Sequence, residues 1–402
     1  MSLGALEVEA LTERLRRHEP SVTTDPTAIR VVRAPGRVNL IGEHTDYNLG
    51  FVLPAAISLE IRLAFVPTTD RHVRITLPDG ERREFDLDAI PPRSGGWIDY
   101  VAATAWSLQS AGLTLHGFRG VLASDLPISA GLSSSAALEL ASAFALLDPP
   151  NLTAHGIDGM HVAKLCQRGE NDHVGVQCGI MDQAAVALGR PGRALFLDCR
   201  SLEVRPVALP TREHVLVVCD TNAPRRLEAS EYNLRRAECE AAAAAIAEVE
   251  PGVESLRDVD AEMLARHGPR LTPAELARAE HVVGENTRVL RTVEALEAGN
   301  LVAVGRLFAE SHASLRDRYE VSSPDLDAMV EIATATPGVV AARMTGAGFG
   351  GCTVNLVRRD AVAAFRDAVE REYPERTGRE PRVFAVEPVA GVGPLVSNST
   401  DR

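Results

Sequence analysis

Between Arg33 and Ile57 the chain reads RAPGRVNLIGEHTDYNLGFVLPAAI, and Arg37, Glu43, His44, Asp46, Tyr47 and Asn48 fall within a few turns there. Two carboxylates and an imidazole offered together suit a polyol, whose adjacent hydroxyls each need an acceptor. Pro35, Gly36, Gly42 and Gly50 add backbone control to the same stretch. Such control favours groups aimed at one polar ligand over a merely solvated turn. Taken alone, the segment also reads as a charged surface turn.

A second stretch, LPISAGLSSSAALEL from Leu126 to Leu140, suits an anion. A strand runs into Pro127, a short loop holds Gly131, and three serines open an alanine-rich helix. Unpaired N–H groups and the dipole at a helix start attract phosphate, and small side chains let its oxygens approach the backbone. An ordinary N-cap needs only one serine; Ser133, Ser134 and Ser135 stand in succession. The G-x-x-x-x-G-K-[ST] pattern of a P-loop is missing, as are the H-R-D and D-F-G marks of protein kinases. A third stretch, MTGAGFGGCTV, runs from its glycines straight into the strand-like C-T-V-N-L-V. A dinucleotide loop would open a helix instead, so a glycine hairpin that lets a ligand come close is the better reading.

The elements that must position these groups follow from the apolar spacing. Strands are expected at Ile29–Arg33, Phe51–Phe65, near Val73–Leu77, at Phe118–Ser124, Ala194–Asp198, His214–Asp220, Val339–Met344, Thr353–Val357 and Arg382–Val386. Helices are expected at Ile98–Leu113, Ser133–Leu147, His161–Asn171, around Met181–Leu188, and at Ser230–Val249. Further helices are expected at Thr272–Ala298, Leu301–Leu315 and Asp360–Glu370. Strands and helices mix without strict βαβ alternation, which favours an α+β architecture.

At 402 residues the chain can bury two substantial cores. A net charge of -13 argues against nucleic acid or an anionic membrane as partner. Glycine loops and magnesium can still offset that field locally for a nucleotide. Lys164 is the only lysine. Six scattered cysteines without a C-x-x-C pair read as reduced, buried thiols of a cytoplasmic protein. The alanine-rich runs are too short and too polar-flanked to span a bilayer, and no motif sets an oligomeric state.

In these motifs the chain resembles the galactokinases of the GHMP small-molecule kinase family. The resemblance is carried, in order, by GRVNLIGEHTDYNLG at Gly36–Gly50, SAGLSSSAA at Ser129–Ala137 and TGAGFGGC at Thr345–Cys352. CGIMDQ at Cys178–Gln183 and ASEYNLRRAECE at Ala229–Glu240 extend it over nearly the whole chain. It implies a two-domain fold with the active site in the cleft. Residues 1–200 would carry the sugar signature and phosphate loop, and residues 201–402 the glycine loop at 345–352. It implies ATP-dependent, magnesium-requiring phosphorylation of galactose at its 1-hydroxyl.

By the same resemblance, Glu43, His44, Asp46 and Tyr232 would bind sugar hydroxyls. Asp182 would accept the proton of the 1-hydroxyl, with Arg37 beside it stabilising the transition state. Ser129, Ala130, Gly131, Leu132, Ser133, Ser134 and Ser135 would wrap the nucleotide phosphates, and Ser135 and Glu170 would hold magnesium. The chain departs from the family's pattern in three places: at Gly169, at Pro127–Ala130, where relatives carry more glycine, and at Ala223–Leu227. The alternatives are a kinase for N-acetylgalactosamine, arabinose or another sugar, and a catalytically silent galactose sensor. The intact Ser133–Ala137 and Asp182 argue against the sensor. Mevalonate and homoserine do not call for E-H-T-D-Y-N.

Overall fold

A computed structural model describes residues 6–127, 130–147, 158–223 and 228–395. The first half opens with helix α1 (Val8–His18), whose Leu11 and Leu15 are buried. Strand β1 (Arg30–Asn39), the short β2 (Phe51–Val52) and the long β3 (Pro54–Thr68) follow, then β4 (His72–Thr76) and β5 (Arg82–Asp86). Helix α2 (Ile98–Ser110) leads to β6 (Gly117–Ser124), and α3 (Ser134–Leu147) starts soon after it. Helices α4 (Gly159–Gly169) and α5 (Met181–Leu188) precede strands β7 (Arg193–Asp198) and β8 (Val204–Ala208).

The second half comprises β9 (His214–Asp220) and helices α6 (Glu228–Ala247), α7 (Ala261–His267), α8 (Pro273–Glu297), α9 (Leu301–Asp317) and α10 (Pro324–Ala335). Strands β10 (Val339–Thr345) and β11 (Cys352–Arg358), helix α11 (Val362–Thr377), β12 (Arg382–Val386) and β13 (Gly393–Pro394) complete it. The strands form a six-stranded sheet in the order β13-β1-β3-β6-β4-β5, a four-stranded sheet β10-β11-β9-β12, and a three-stranded sheet β2-β7-β8. The architecture is α+β, as the irregular alternation predicts.

Most expected elements are present with shifted ends. Strand β1 runs well past the expected end at Arg33, through a register shift between Pro35 and Gly36, to Asn39. Proline has no N–H for the ladder, so a bulge is where a strand tolerates it. A methyl on Gly36 would overlap Leu126 and come within 2.7 Å of the Leu132 carbonyl, which presses β1 against the phosphate loop. Helix α3 is buried on nearly every side, as its alanine content allows. The predicted helix 161–171 instead ends at Gly169 and continues as a π-helical turn, Glu170–Val174. Such turns recur at functional sites because they re-aim side chains.

Strand β9 is buried at all seven positions. Helix α8 starts with Thr272 and Glu275 capping each other's backbone, and with Pro273 at its first position. The cysteines are free thiols, all buried except the half-buried Cys178. Among the described residues no helix is long and apolar enough to cross a membrane.

Candidate active site

A cavity of about 510 Å³ opens where the two halves meet, lined among others by Arg37, Glu43, Asp46, Glu170, Asp182 and Tyr232. Arg37 stands on β1 and Asp182 in the first turn of α5, 145 residues apart in sequence. The guanidinium grips the carboxylate at both oxygens, Nε to Oδ1 and Nη2 to Oδ2, each at 2.8 Å. Its third nitrogen, Nη1, donates to the Gly131 carbonyl at 2.5 Å. Ser133 Oγ donates to Asp182 Oδ2 at 2.6 Å. One arginine thus binds the carboxylate and the phosphate loop together, in the planar fork geometry that suits it.

The polar loop after β1 is built to hold its side chains still. Thr45, fully buried, donates from Oγ1 to the carbonyls of Gly42 (2.8 Å) and Phe51 (2.6 Å). His44 has φ 63°, a left-handed conformation uncommon for a non-glycine residue. Its ring offsets that strain: Nε2 donates to the Ala347 carbonyl at 3.1 Å, and Nδ1 accepts from Tyr47 OH at 2.7 Å. Burial, and then the nearby His281, lower His44 to about 3, so the ring is neutral and its tautomer follows from these partners. Both ring nitrogens are therefore engaged within the protein, while the ring itself lines the cavity.

The two carboxylates of the loop differ. Glu43 accepts from Thr345 Oγ1 and Gly346 N, both at 3.2 Å, and pairs closely with Arg343. Burial raises its proton affinity, Arg343 opposes that, and Glu285 adds to it. Asp46 lines the cavity; its carboxylate accepts from the backbone N–H groups of Tyr47 and Asp46 and receives no side-chain donor among the described residues. Burial first, and the charge of Asp182 second, push it up to about 6. Tyr232 on α6 completes this wall, its ring 5.6 Å from His44 and 5.3 Å from Tyr47.

Gly179 backs directly onto Asp46, and a methyl there would overlap the carboxylate. Gly179→Ala is therefore expected to displace Asp46 and weaken binding at this wall by ~10-fold or more, the scale of one lost charged hydrogen bond. Kinetics with the small-molecule substrate varied would show this as a raised KM.

At the phosphate loop, Ala130 and Leu132 turn their side chains into the core, so only their backbone can face a ligand. Gly131 takes φ 77° and Ser133 φ 58°, so the chain turns sharply just before α3. Ser134 and Ser135 stand half-exposed at the start of that helix. Ser129 lies outside the described residues. The third glycine stretch is the hairpin between antiparallel β10 and β11, so the dinucleotide reading does not hold. Gly346 there takes φ 84°, and a methyl on it would meet the Gly131 carbonyl at 3.2 Å.

Glu170 is buried on its π-helical turn, accepting from Gln183 Nε2 at 2.7 Å and from Cys178 Sγ at 3.3 Å. The same Gln183 nitrogen donates to Glu139 on α3 at 3.0 Å. Burial, then the charge of Glu170, raise Glu139 well above the usual carboxylate range. Burial, then Asp182, raise Glu170 as well. Among the described residues no arginine or lysine pairs with either. Sequence reasoning passed over Glu139 and Gln183: Glu139 sits in an alanine-rich run, and its only local signal is its place four residues after Ser135.

Three family signatures match the chain: a galactokinase galactose-binding signature at residues 17–67, the GHMP kinases N terminal domain at 99–190 and the GHMP kinases C terminal at 292–375. It is 46% identical over 398 residues to a galactokinase of Roseiflexus sp. (strain RS-1), covering 98% of this chain and 99% of that protein. It is 46% identical over 367 residues to a galactokinase of Chloroflexus aurantiacus, covering 90% and 93%. The fold superposes on Lactococcus lactis galactokinase complexed with galactose with a TM-score of 0.90 at 36% identity, over 96% of this chain and 100% of that one. Methanococcus jannaschii mevalonate kinase, at 19% identity and a TM-score of 0.63 over 89% and 98%, shares the fold.

Proposed function

Because the chain belongs to the galactokinases of the GHMP kinase family, we propose that its cavity passes the γ-phosphoryl group of ATP to the anomeric 1-hydroxyl of D-galactose. The enzyme phosphorylates galactose with ATP as co-substrate. In this reading residues 1–200 carry the sugar signature and phosphate loop, and residues 201–402 bring the glycine hairpin and Tyr232. The observation that carries it is the Arg37 fork, which binds Asp182 at 2.8 Å and the Gly131 carbonyl at 2.5 Å. The groups for proton removal and for phosphate binding therefore meet at one cation.

Glu43, Asp46 and Tyr232 take the sugar hydroxyls, with His44 as the neutral wall beside them. Asp182 accepts the proton of the 1-hydroxyl late in transfer, once the new P–O bond makes that oxygen acidic. Arg37 offsets charge on the transferring oxygens and keeps Asp182 in line. The backbone of 130–135, with the hydroxyls of Ser134 and Ser135, receives the nucleotide phosphates. Ser133 contributes mainly by orienting Asp182, since its hydroxyl is already donated there.

Glu170 and Ser135 are the residues that would hold magnesium. Glu170 and Glu139 form a buried acidic pair near Asp182, without a basic partner among the described residues. Among the described residues no three His, Cys, Asp or Glu side chains form a metal cage. Magnesium takes one or two protein oxygens and completes its shell with phosphates and water. When bound, the ion would neutralise charge on the β- and γ-phosphates.

ADP release from magnesium-ATP, measured over D-galactose, N-acetylgalactosamine, arabinose and other monosaccharides, tests the reading. Turnover is expected with galactose and is expected to stop on chelation of magnesium. Turnover with a different sugar alone would overturn the substrate. Galactose binding without turnover on any sugar would point to a sensor.

A further inference from the structure

Behind the sugar loop lies a buried chain of charges that the phosphoryl transfer does not use. Arg343, third from the end of β10, is 0% exposed, a rare state for a guanidinium. Its Nη1 pairs closely with Glu43 and also donates to the Leu40 carbonyl at 2.9 Å. Its Nη2 lies 3.8 Å from Glu285 Oε1 on α8. Glu285, also fully buried, accepts from Gly42 N at 3.0 Å, Ser311 Oγ at 2.6 Å and Arg288 Nε at 2.6 Å. The order across the interface is Glu43, Arg343, Glu285, Arg288, with alternating sign.

This arrangement is poor as a device for stability alone. Arg343 Nε and Nη2 have no hydrogen-bond acceptor among the described residues. Buried donors left unmade cost free energy, and apolar residues of similar volume often replace buried ion pairs without loss. What the arginine does accomplish is specific. It faces one oxygen of Glu43, while Thr345 and Gly346, just beyond it on the same strand and hairpin, bind the other. All the groups that fix this carboxylate come from β10 and its hairpin, whereas the sugar loop follows β1.

We propose that Arg343, backed by Glu285, is a positioning residue for galactose recognition, holding Glu43 as a hydroxyl acceptor without touching sugar or nucleotide. The inference rests on Glu43 as a sugar ligand. Its contact with the hydroxyl persists from ground state to transition state, so its loss appears in KM for galactose rather than in kcat.

The test is a mutant cycle on the full chain, read as KM for galactose, KM for ATP and kcat at saturation. Arg343→Met is expected to raise galactose KM by ~10–100-fold, with ATP KM and kcat within about threefold. Arg343→Lys is expected to recover part of that loss. The double variant Arg343→Met with Glu43→Gln is expected to be no worse than Glu43→Gln alone, because the two act through one contact. Additive losses, or a matching fall in kcat and ATP affinity, would show a general structural role and overturn the proposal. If Arg343→Met does not fold, Glu285→Gln decides: a galactose KM raised several-fold supports the chain of charges, and an unchanged one rejects it. Glu43→Gln with unchanged galactose KM would instead remove the sugar-site premise, and the proposal with it.

Discussion

Asp182→Asn is expected to lower turnover by ~10²–10⁴-fold, the usual worth of a positioned general base, while galactose binding stays within about tenfold of the parent. Asparagine keeps one acceptor oxygen and the shape of the side chain. It turns an NH₂ group toward donors, since Arg37 Nε, Arg37 Nη2 and Ser133 Oγ all point at this carboxylate. The fork would then hold by one bond, and the 1-hydroxyl would have no base. In the proposed reading Glu43, Asp46 and Tyr232 remain in place to bind the sugar. Single-turnover kinetics paired with galactose titration calorimetry would separate the two effects. A turnover near the parent's would remove Asp182 from the base role; a loss of binding as large as the loss of rate would make it mainly a sugar ligand.

Asp46→Asn is expected to split function from stability. Asp46 lines the cavity with no side-chain donor among the described residues, and in the proposed reading it accepts from galactose hydroxyls. Loss of a charged hydrogen bond there should raise galactose KM by ~10–10²-fold. The stability effect runs the other way. Burial and then Asp182 raise this group to about 6, above its ordinary 3.8. The folded chain therefore holds the proton more tightly than the unfolded one, and ionised Asp46 opposes folding at pH above about 6. That penalty, on the order of a few kcal/mol, fades as pH falls through 6 toward the unfolded value. Asparagine carries no charge, so the variant should melt a few degrees higher than the parent at pH 7.5, with the gap narrowing at pH 5. Calorimetric melting at the two pH values checks this; a variant less stable at pH 7.5 would refute the cost assigned to Asp46.

Much of the site was legible because its parts are local. The run from Arg37 to Asp46 names polar groups of the cavity wall, the serines ahead of α3 name a helix N-terminus, and the glycines ahead of C-T-V name a hairpin. Each needs only neighbours in sequence for its meaning. Elements whose pattern is weak were harder. Strand β5 reads R-R-E-F-D, charged as an edge strand tends to be, and escaped notice. Helices α1 and α10 are short or terminal, and their apolar faces become evident only against the sheets they cover.

The sequence by itself determined which acids, hydroxyls and glycines are available, their local spacing, and the α+β class. Only the tertiary structure decided what each of them does. It turned Ser133 toward Asp182, occupied both nitrogens of His44, and set Glu139 beside Glu170 with Gln183 bridging them. It also drew Arg343 and Glu285 behind Glu43 from more than 240 positions away. The reason is that a polar group's role depends on which other groups lose water with it. Burial makes each remaining charge and hydrogen bond count several times more than in solvent, and burial is a property of the folded whole.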